Sequence, residues 1–250
     1  MEHNVVFFFF ITGLVFGSFY NVVGLRVPHG KMFSSSRSAC PSCHHILSWK
    51  ELVPLLSFFY QKGKCKHCGK AISPLYPIIE LFTAVGFAFC CLFINSPLEI
   101  GIGLLLVSML AIVFVSDHTY MIIPNQVLLF FLPLFIIYRI IVPTNPWWLS
   151  VLGGIAGFGL IAIIILLSKG GMGAGDMKLF SVIGYLVGFP HVFLTLFVAT
   201  IYGLVFFLLQ KLLHKGESPL IPFGPSIILA GGTVFFYGST LLDWYFSLYY

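Results

Sequence analysis

The stretch EIGIGLLLVSMLAIVFVS, residues 99–116, decides the fold. Its single acid stands at the edge, and no further charge follows before Asp117. A helix needs about 20 largely apolar residues to cross a hydrocarbon core roughly 30 Å thick. Lipid offers no partners to backbone N–H and C=O groups, so a run of this kind must satisfy them internally as a helix. Comparable runs lie at 5–25, 76–95, 123–142, 148–168, 177–189, 191–210 and 222–242. The ten-residue alternation of a membrane barrel is missing. The expectation is an all-α, polytopic transmembrane helical bundle of about eight spans. The sixth is short, and Pro190 marks its junction with the seventh; one long kinked helix there would leave seven.

Composition points the same way. Of 250 residues, 59% are hydrophobic and 8% charged, against roughly 25% charged in soluble domains, and the mean hydropathy is +1.02. Water is not the main solvent of this chain, and no nucleic-acid partner is expected. The first run has no basic segment before it (Glu2 and His3 precede it) and no small-residue cleavage site after it. It reads as a retained helix rather than a signal peptide.

Charge orients the bundle. Residues 26–75 carry Arg26, Lys31, Arg37, Lys50, Lys62, Lys64, Lys66 and Lys70 against Glu51 alone, a net +7. The positive-inside rule puts this segment in the cytoplasm. Eight crossings then bring Lys169, Lys178, Lys211 and Lys215 to the same side, leaving Arg139 near the outer face. Seven would put Lys211 and Lys215 outside. The organisation expected is a first helix at 1–25, a cytoplasmic four-cysteine loop at 26–75 and a membrane bundle at 76–250.

Within the loop, Cys40-Pro-Ser-Cys43 and Cys65-Lys-His-Cys68 form C-x2-C-x21-C-x2-C. Thiolates two residues apart can reach one ion at about 2.3 Å, so two such pairs suit tetrahedral zinc. A reducing cytoplasm disfavours disulfides. Gly69 and Lys70 resemble the turn of a zinc ribbon. Four thiolates leave no open position, which makes the site structural for a loop too short to hold its own core. His44, His45 and His67 could substitute as ligands but are more simply solvated. Cys90 and Cys91 fall inside an apolar run and read as buried thiols.

There are eight acids. Glu2, Glu51, Glu99, Glu217 and Asp243 fall in loops or near span ends, where solvation is the simple reading. Glu80, Asp117 and Asp176 remain, and acids in membrane segments are functional candidates because they are costly there. Asp117 lies in a short polar break between two apolar runs, with Pro124 suited to the start of the next helix. Asp176 follows glycines 170, 171, 173 and 175, which let the backbone bend and another chain come close. Taken singly, Asp117 is a loop carboxylate and Asp176 a first-turn helix acid. Eight spans put both at the cytoplasmic ends of their helices. A desolvated pair shares a proton, so that one carboxyl activates water while the other protonates the carbonyl or leaving amine. An ion or proton transporter using Asp117, Asp176 and Glu80 is the rival reading.

Five motifs together resemble one family, the type 4 prepilin peptidases. They are Gly17-Ser18-Phe19-Tyr20-Asn21-Val22-Val23, the paired cysteine knuckles, Tyr76-Pro77-Ile78-Ile79-Glu80-Leu81, Asp117 with Ile123-Pro124-Asn125, and Gly173-Ala174-Gly175-Asp176-Met177-Lys178-Leu179. The last holds the G-x-G-D signature shared with membrane aspartyl proteases of the presenilin kind. The resemblance implies an aspartyl endopeptidase that removes the basic leader of prepilins or pseudopilins on the cytoplasmic side, with Asp117 and Asp176 as its catalytic pair. It implies a bacterial plasma membrane location, for pilus, secretion or competence systems, and zinc at the cysteines. It also implies S-adenosylmethionine-dependent N-methylation of the new terminus. The sequence shows no nucleotide-binding loop for that cofactor. Glu80 is a candidate for methylation or for binding the substrate amine, beside its reading as a buried structural acid. The family often has Asp where this chain has Asn125. Membrane lipid is a further expected partner, and the oligomeric state is not readable.

Overall fold

A computed structural model describes residues 3–30, 37–169, 171–213 and 223–248. Glu2, Lys31, Gly170, Lys215 and Glu217 lie outside the described residues. The helices are α1 (His3–Arg26), α2 (Leu56–Tyr60), α3 (Leu75–Phe93), α4 (Pro97–Tyr120), α5 (Asn125–Ile141), α6 (Trp148–Leu167), α7 (Ala174–Val187), α8 (Phe189–Leu213) and α9 (Gly224–Ser247). Among the described residues there is no strand, only two isolated antiparallel bridges in the four-cysteine loop.

Six of these helices are long and apolar enough to cross a membrane: α1, α3, α4, α6, α8 and α9. α5 is apolar and 17 residues long. α7 has 14 residues, about 21 Å at 1.5 Å per residue. The chain is a multi-pass membrane protein. The junction of α7 and α8 is a break at Gly188, φ +90°, so they are two helices rather than one kinked one. Arg139 of α5 donates to the carbonyl of Leu186, near the end of α7. That supplies a donor to a helix C-terminus, where carbonyls otherwise lack one.

The chain divides into two compact units, Met1–Val115 and Ser116–Tyr250. In the first, α1 packs along α3. A Cβ at Gly13 would stand 2.6 Å from Ala84 Cα, and one at Gly17 would stand 2.7 Å from Glu80 Cα. Small residues at such a seam let two helix backbones touch, which is how membrane helices gain packing energy without a hydrophobic drive. Tyr20 donates to Ser108 on α4 at 2.7 Å, and Asn21 donates to the carbonyl of Tyr76 at 3.1 Å. Each such bond contributes about 0.6 kcal/mol on average in membrane bundles. The Gly17–Val23 motif is thus a packing device, carrying both the close approach and the polar ties. Cys90 and Cys91 are fully buried, as their apolar setting required.

In the second unit, α6 packs on α7 and α8 on α9, with α7 also touching α5, α8 and α9. A Cβ at Gly157 would stand 2.7 Å from the carbonyl of Phe180, and Ser181 donates to the carbonyl of Gly154 at 2.9 Å. α7 is therefore the central helix of this unit. That placement brings Asp176, in its first turn, inside.

Candidate active site and metal centre

The polar stretch after residue 116 does not break the helix. α4 runs on through Asp117 to Tyr120 and ends at Met121, which takes a left-handed φ of +55°. The amide of Met121 donates to the carbonyl of Asp117 at 2.8 Å, and Ser116 Oγ donates to the carbonyl of Ile122. This corrects the loop expectation for Asp117, which is a helical residue one turn from the end. Pro124 is the N-cap of α5 rather than its first residue.

Asp117 is 5% exposed and Asp176 8%. The two carboxylates lie within electrostatic reach of each other. The amide of Gly173 donates to Asp176 Oδ2 at 3.2 Å. Asp117 Oδ2 is buried and receives no hydrogen bond from a described protein group. A third element meets them. Gly224, the first residue of α9, lies against the Asp117 carboxylate, and a Cβ there would stand 2.7 Å from Cγ. Gly175 faces Ile123 in the same way, at 3.0 Å from its Cβ. At the exposed rim, Lys178 Nζ donates to Asn125 Oδ1 at 3.0 Å, tying α7 to the start of α5. Chemically, this is a pair of buried carboxyl groups with one open acceptor and side-chain-free backbone beside it.

Neither Gly224 nor the Lys178–Asn125 tie was read from the sequence. A hint existed in Phe223-Gly-Pro-Ser226, where a glycine precedes a proline at a helix start. Nothing local said which side chain that glycine would face.

The four-cysteine loop belongs to the first unit. The ligand atoms of Cys40, Cys43, Cys65 and Cys68 all lie within 4.8 Å of one another. Cys40 Sγ stands 3.9 Å from Cys68 Sγ, and Cys43 Sγ 4.0 Å from Cys65 Sγ. Tetrahedral zinc at about 2.3 Å from each sulfur requires edges of about 3.8 Å, so the donor set fits. The two knuckles repeat one geometry. His44 N–H bonds the carbonyl of Cys40 and Gly69 N–H that of Cys65, each at 2.9 Å. His44 (φ +56°) and Gly69 (φ +70°) take the same left-handed turn. Backbone N–H groups of Cys43 and Ser42 point at the Cys40 thiol and pull its pKa down to about 6, which favours the thiolate a metal needs. The three histidines are not part of the cluster; His45 and His67 stack on each other at 3.7 Å.

Two acids have more structure than the sequence suggested. Glu51 is not merely solvated: Oε2 accepts from the amide and hydroxyl of Ser48, at 2.8 and 2.7 Å. Those bonds hold its carboxyl below the usual range. Glu80 is 7% exposed, and its Oε2 accepts from the amide of Leu55 at 2.8 Å.

Comparison with known proteins places these features. Residues 11–94 match the family model described as Bacterial Peptidase A24 N-terminal domain, and residues 104–208 match the Type IV leader peptidase family. The chain is 39% identical over 243 residues to a prepilin leader peptidase/N-methyltransferase of Bacillus subtilis (strain 168), covering 96% of this chain and 97% of that one.

The chain belongs to the type IV prepilin leader peptidase family.

The same name is carried by relatives from Vibrio cholerae (34% identical over 256 residues, 94% of this chain and 98% of that one) and Aeromonas salmonicida (30% over 269 residues, 95% and 92%). No solved structure matches. Membership of a leader peptidase family decides against the transporter reading. The cysteine knuckles and Glu80 fall in the matched segment 11–94, and Asp117 and Asp176 in the matched segment 104–208.

Proposed function

We propose that this chain is a membrane aspartyl endopeptidase that removes the leader of type IV prepilins or pseudopilins, with Asp117 and Asp176 as the catalytic pair. The observation that carries the reading is the burial of two carboxylates within electrostatic reach of each other in a chain that aligns over 96% of its length with a named leader peptidase. Cleavage occurs at the cytoplasmic face, where the positive-inside rule puts the basic 26–75 loop. Residues 76–250 form the peptidase bundle.

One member of the dyad is ionised and the other protonated. The ionised carboxylate takes a proton from water as the water oxygen attacks the scissile carbonyl, while the protonated partner gives its proton to the carbonyl oxygen. The tetrahedral centre then collapses, the C–N bond breaks, and the amine leaves with a proton returned from the pair. Gly224 keeps a side chain away from the Asp117 carboxylate, so an extended peptide backbone can come near it. The loop, at net +7, is a poor partner for a basic leader; its charges favour anionic lipid.

Zinc would be held by Cys40, Cys43, Cys65 and Cys68. With all four positions filled by thiolate it supplies a cross-link that orders the loop and no catalytic water. The relatives' names add N-methylation, a reaction for which S-adenosylmethionine supplies the methyl group when bound.

The test is mass spectrometry of a type IV prepilin co-expressed with this chain. Loss of the leader with a gain of about 14 Da on the mature N-terminus is expected. An uncut prepilin beside abundant, membrane-inserted protein would overturn the peptidase reading.

A further inference from the structure

Helix α2 is only five residues long, yet it has two different faces. Ser57 and Phe58 turn inward, toward the adjoining ends of α1 and α3. Leu56, Phe59 and Tyr60 hold the i, i+3 and i+4 positions of the opposite side, and they are 70%, 70% and 82% exposed. The turn Trp49–Glu51 packs beside α2 and adds Trp49, 73% exposed, with the exposed Leu52 next to it. A surface meant for water seldom gathers so many large apolar side chains.

Backbone ties set the height at which this face lies. The amide of Leu55, the residue that opens α2, donates to Glu80 Oε2 at 2.8 Å. Glu80 stands five residues inside α3, about 7–8 Å along a helix, and α3 is one of the helices long and apolar enough to cross a membrane. Beyond the other end of α2, the carbonyl of Gly63 accepts from the amide of Ile72 at 2.7 Å, just before α3 begins. So α2 is pinned level with the end of a membrane helix, not held out in the aqueous phase. Its charges are of one sign. Lys50, Lys62, Lys64, Lys66 and Lys70 are all exposed, and Lys50 Nζ stands 5.4 Å from the centre of the Trp49 ring. Glu51, the sole acid between residues 26 and 75, is taken up by Ser48. Tryptophan and tyrosine beside lysines, above an apolar helix face, is the composition of a membrane–water interface.

We propose that the outer face of α2, with Trp49 and Leu52, is an anchor that inserts into the cytoplasmic leaflet while the surrounding lysines pair with the phosphates of anionic lipid headgroups. This deepens the proposed function and rests on its assignment of the loop to the cytoplasmic side, where anionic lipids lie. Charge selects lipid over the other occupants. A basic prepilin leader is repelled by the same lysines that draw phosphate, and a second copy of the chain would set lysines against lysines. The loop is tethered to membrane helices at both ends, which keeps it at high local concentration beside the bilayer. A short apolar face therefore suffices.

The test uses the full-length chain with Trp147, Trp148 and Trp244 replaced by Phe, so that Trp49 alone emits. It is reconstituted in phosphatidylcholine vesicles with or without about 30% phosphatidylglycerol, in which a share of the lipid is brominated high on the acyl chain, next to the headgroup. In the anionic vesicles bromine should quench Trp49 at least about twofold, and in phosphatidylcholine alone by less than half as much. Leu56→Ser combined with Phe59→Ser should lower the quenching in anionic vesicles at least about twofold while zinc content stays that of the parent. Trp49 unquenched by bromine in both vesicles, and open to acrylamide from the water, overturns the anchor. Equal quenching in the two vesicles overturns the role of anionic headgroups, and shielding that appears only when a prepilin is added makes the face a substrate surface instead. If the double serine variant loses its zinc, the Trp49 measurements decide alone. Both leaflets of the vesicle have one composition, so the quenching does not depend on which way the loop faces. A wrong orientation shows itself separately, as labelling of the loop lysines in intact cells by an amine reagent that cannot cross the membrane.

Discussion

Gly224 on α9 abuts the carboxylate of Asp117 on α4 so closely that a Cβ would stand 2.7 Å from Cγ. Gly224→Ala must therefore move either the α9 start or the acid. A displacement near 1 Å at a reacting group can cost about 10²-fold in rate, and leader cleavage is expected to fall by at least tenfold. Gly159, whose added Cβ would meet nothing within 4 Å, provides the control: Gly159→Ala should cleave as wild type does. Equal activity in both variants would show that Gly224 does not shape the site.

The shared proton of the dyad sets a pH dependence. Cleavage should fall on the acid side as both carboxyls become protonated and on the alkaline side as both ionise. The two limbs report constants of the pair, not of either residue. A rate profile with one limb only, measured on purified protein, would contradict proton sharing.

Metal removal gives a third outcome. Purified protein should carry about one zinc per chain, and Cys43→Ser should lose most of it and become protease-sensitive within residues 37–75. Unchanged metal content in Cys43→Ser, measured by plasma emission, would refute the four-thiolate site.

The Lys178–Asn125 tie lies at the exposed rim, where an ion pair contributes about 0–1 kcal/mol. Asn125→Asp replaces a neutral acceptor with a charged one in the same place. Cleavage is expected within about fivefold of wild type. A larger loss would mean that the amide contacts substrate directly.

Much of the architecture was readable because membrane crossing imposes a length on apolar runs, and that length survives in the sequence at 5–25 and 99–116. Side-chain meetings are not so imposed. The end of α4 is not legible because Asp117-His-Thr-Tyr120 is polar without being helix-breaking, and the stop at Met121 carries no glycine signal. The role of Glu51 is legible in the sequence: Ser48-x-x-Glu51 is the spacing of a capping box. The approach of Gly224 to Asp117 depends on which helices neighbour one another, information that no local pattern contains.

The central claim is that the carboxyl groups at 117 and 176 act as one unit, and initial rates of leader removal by purified Asp117→Asn, Asp176→Asn and the double variant test it most directly. Each single change should reduce the rate by about 10²–10⁴-fold or more, with the double variant no slower than either alone, as for residues that work together. A single variant that keeps a tenth of the wild-type rate, or a double variant whose loss is the product of the two, would contradict it.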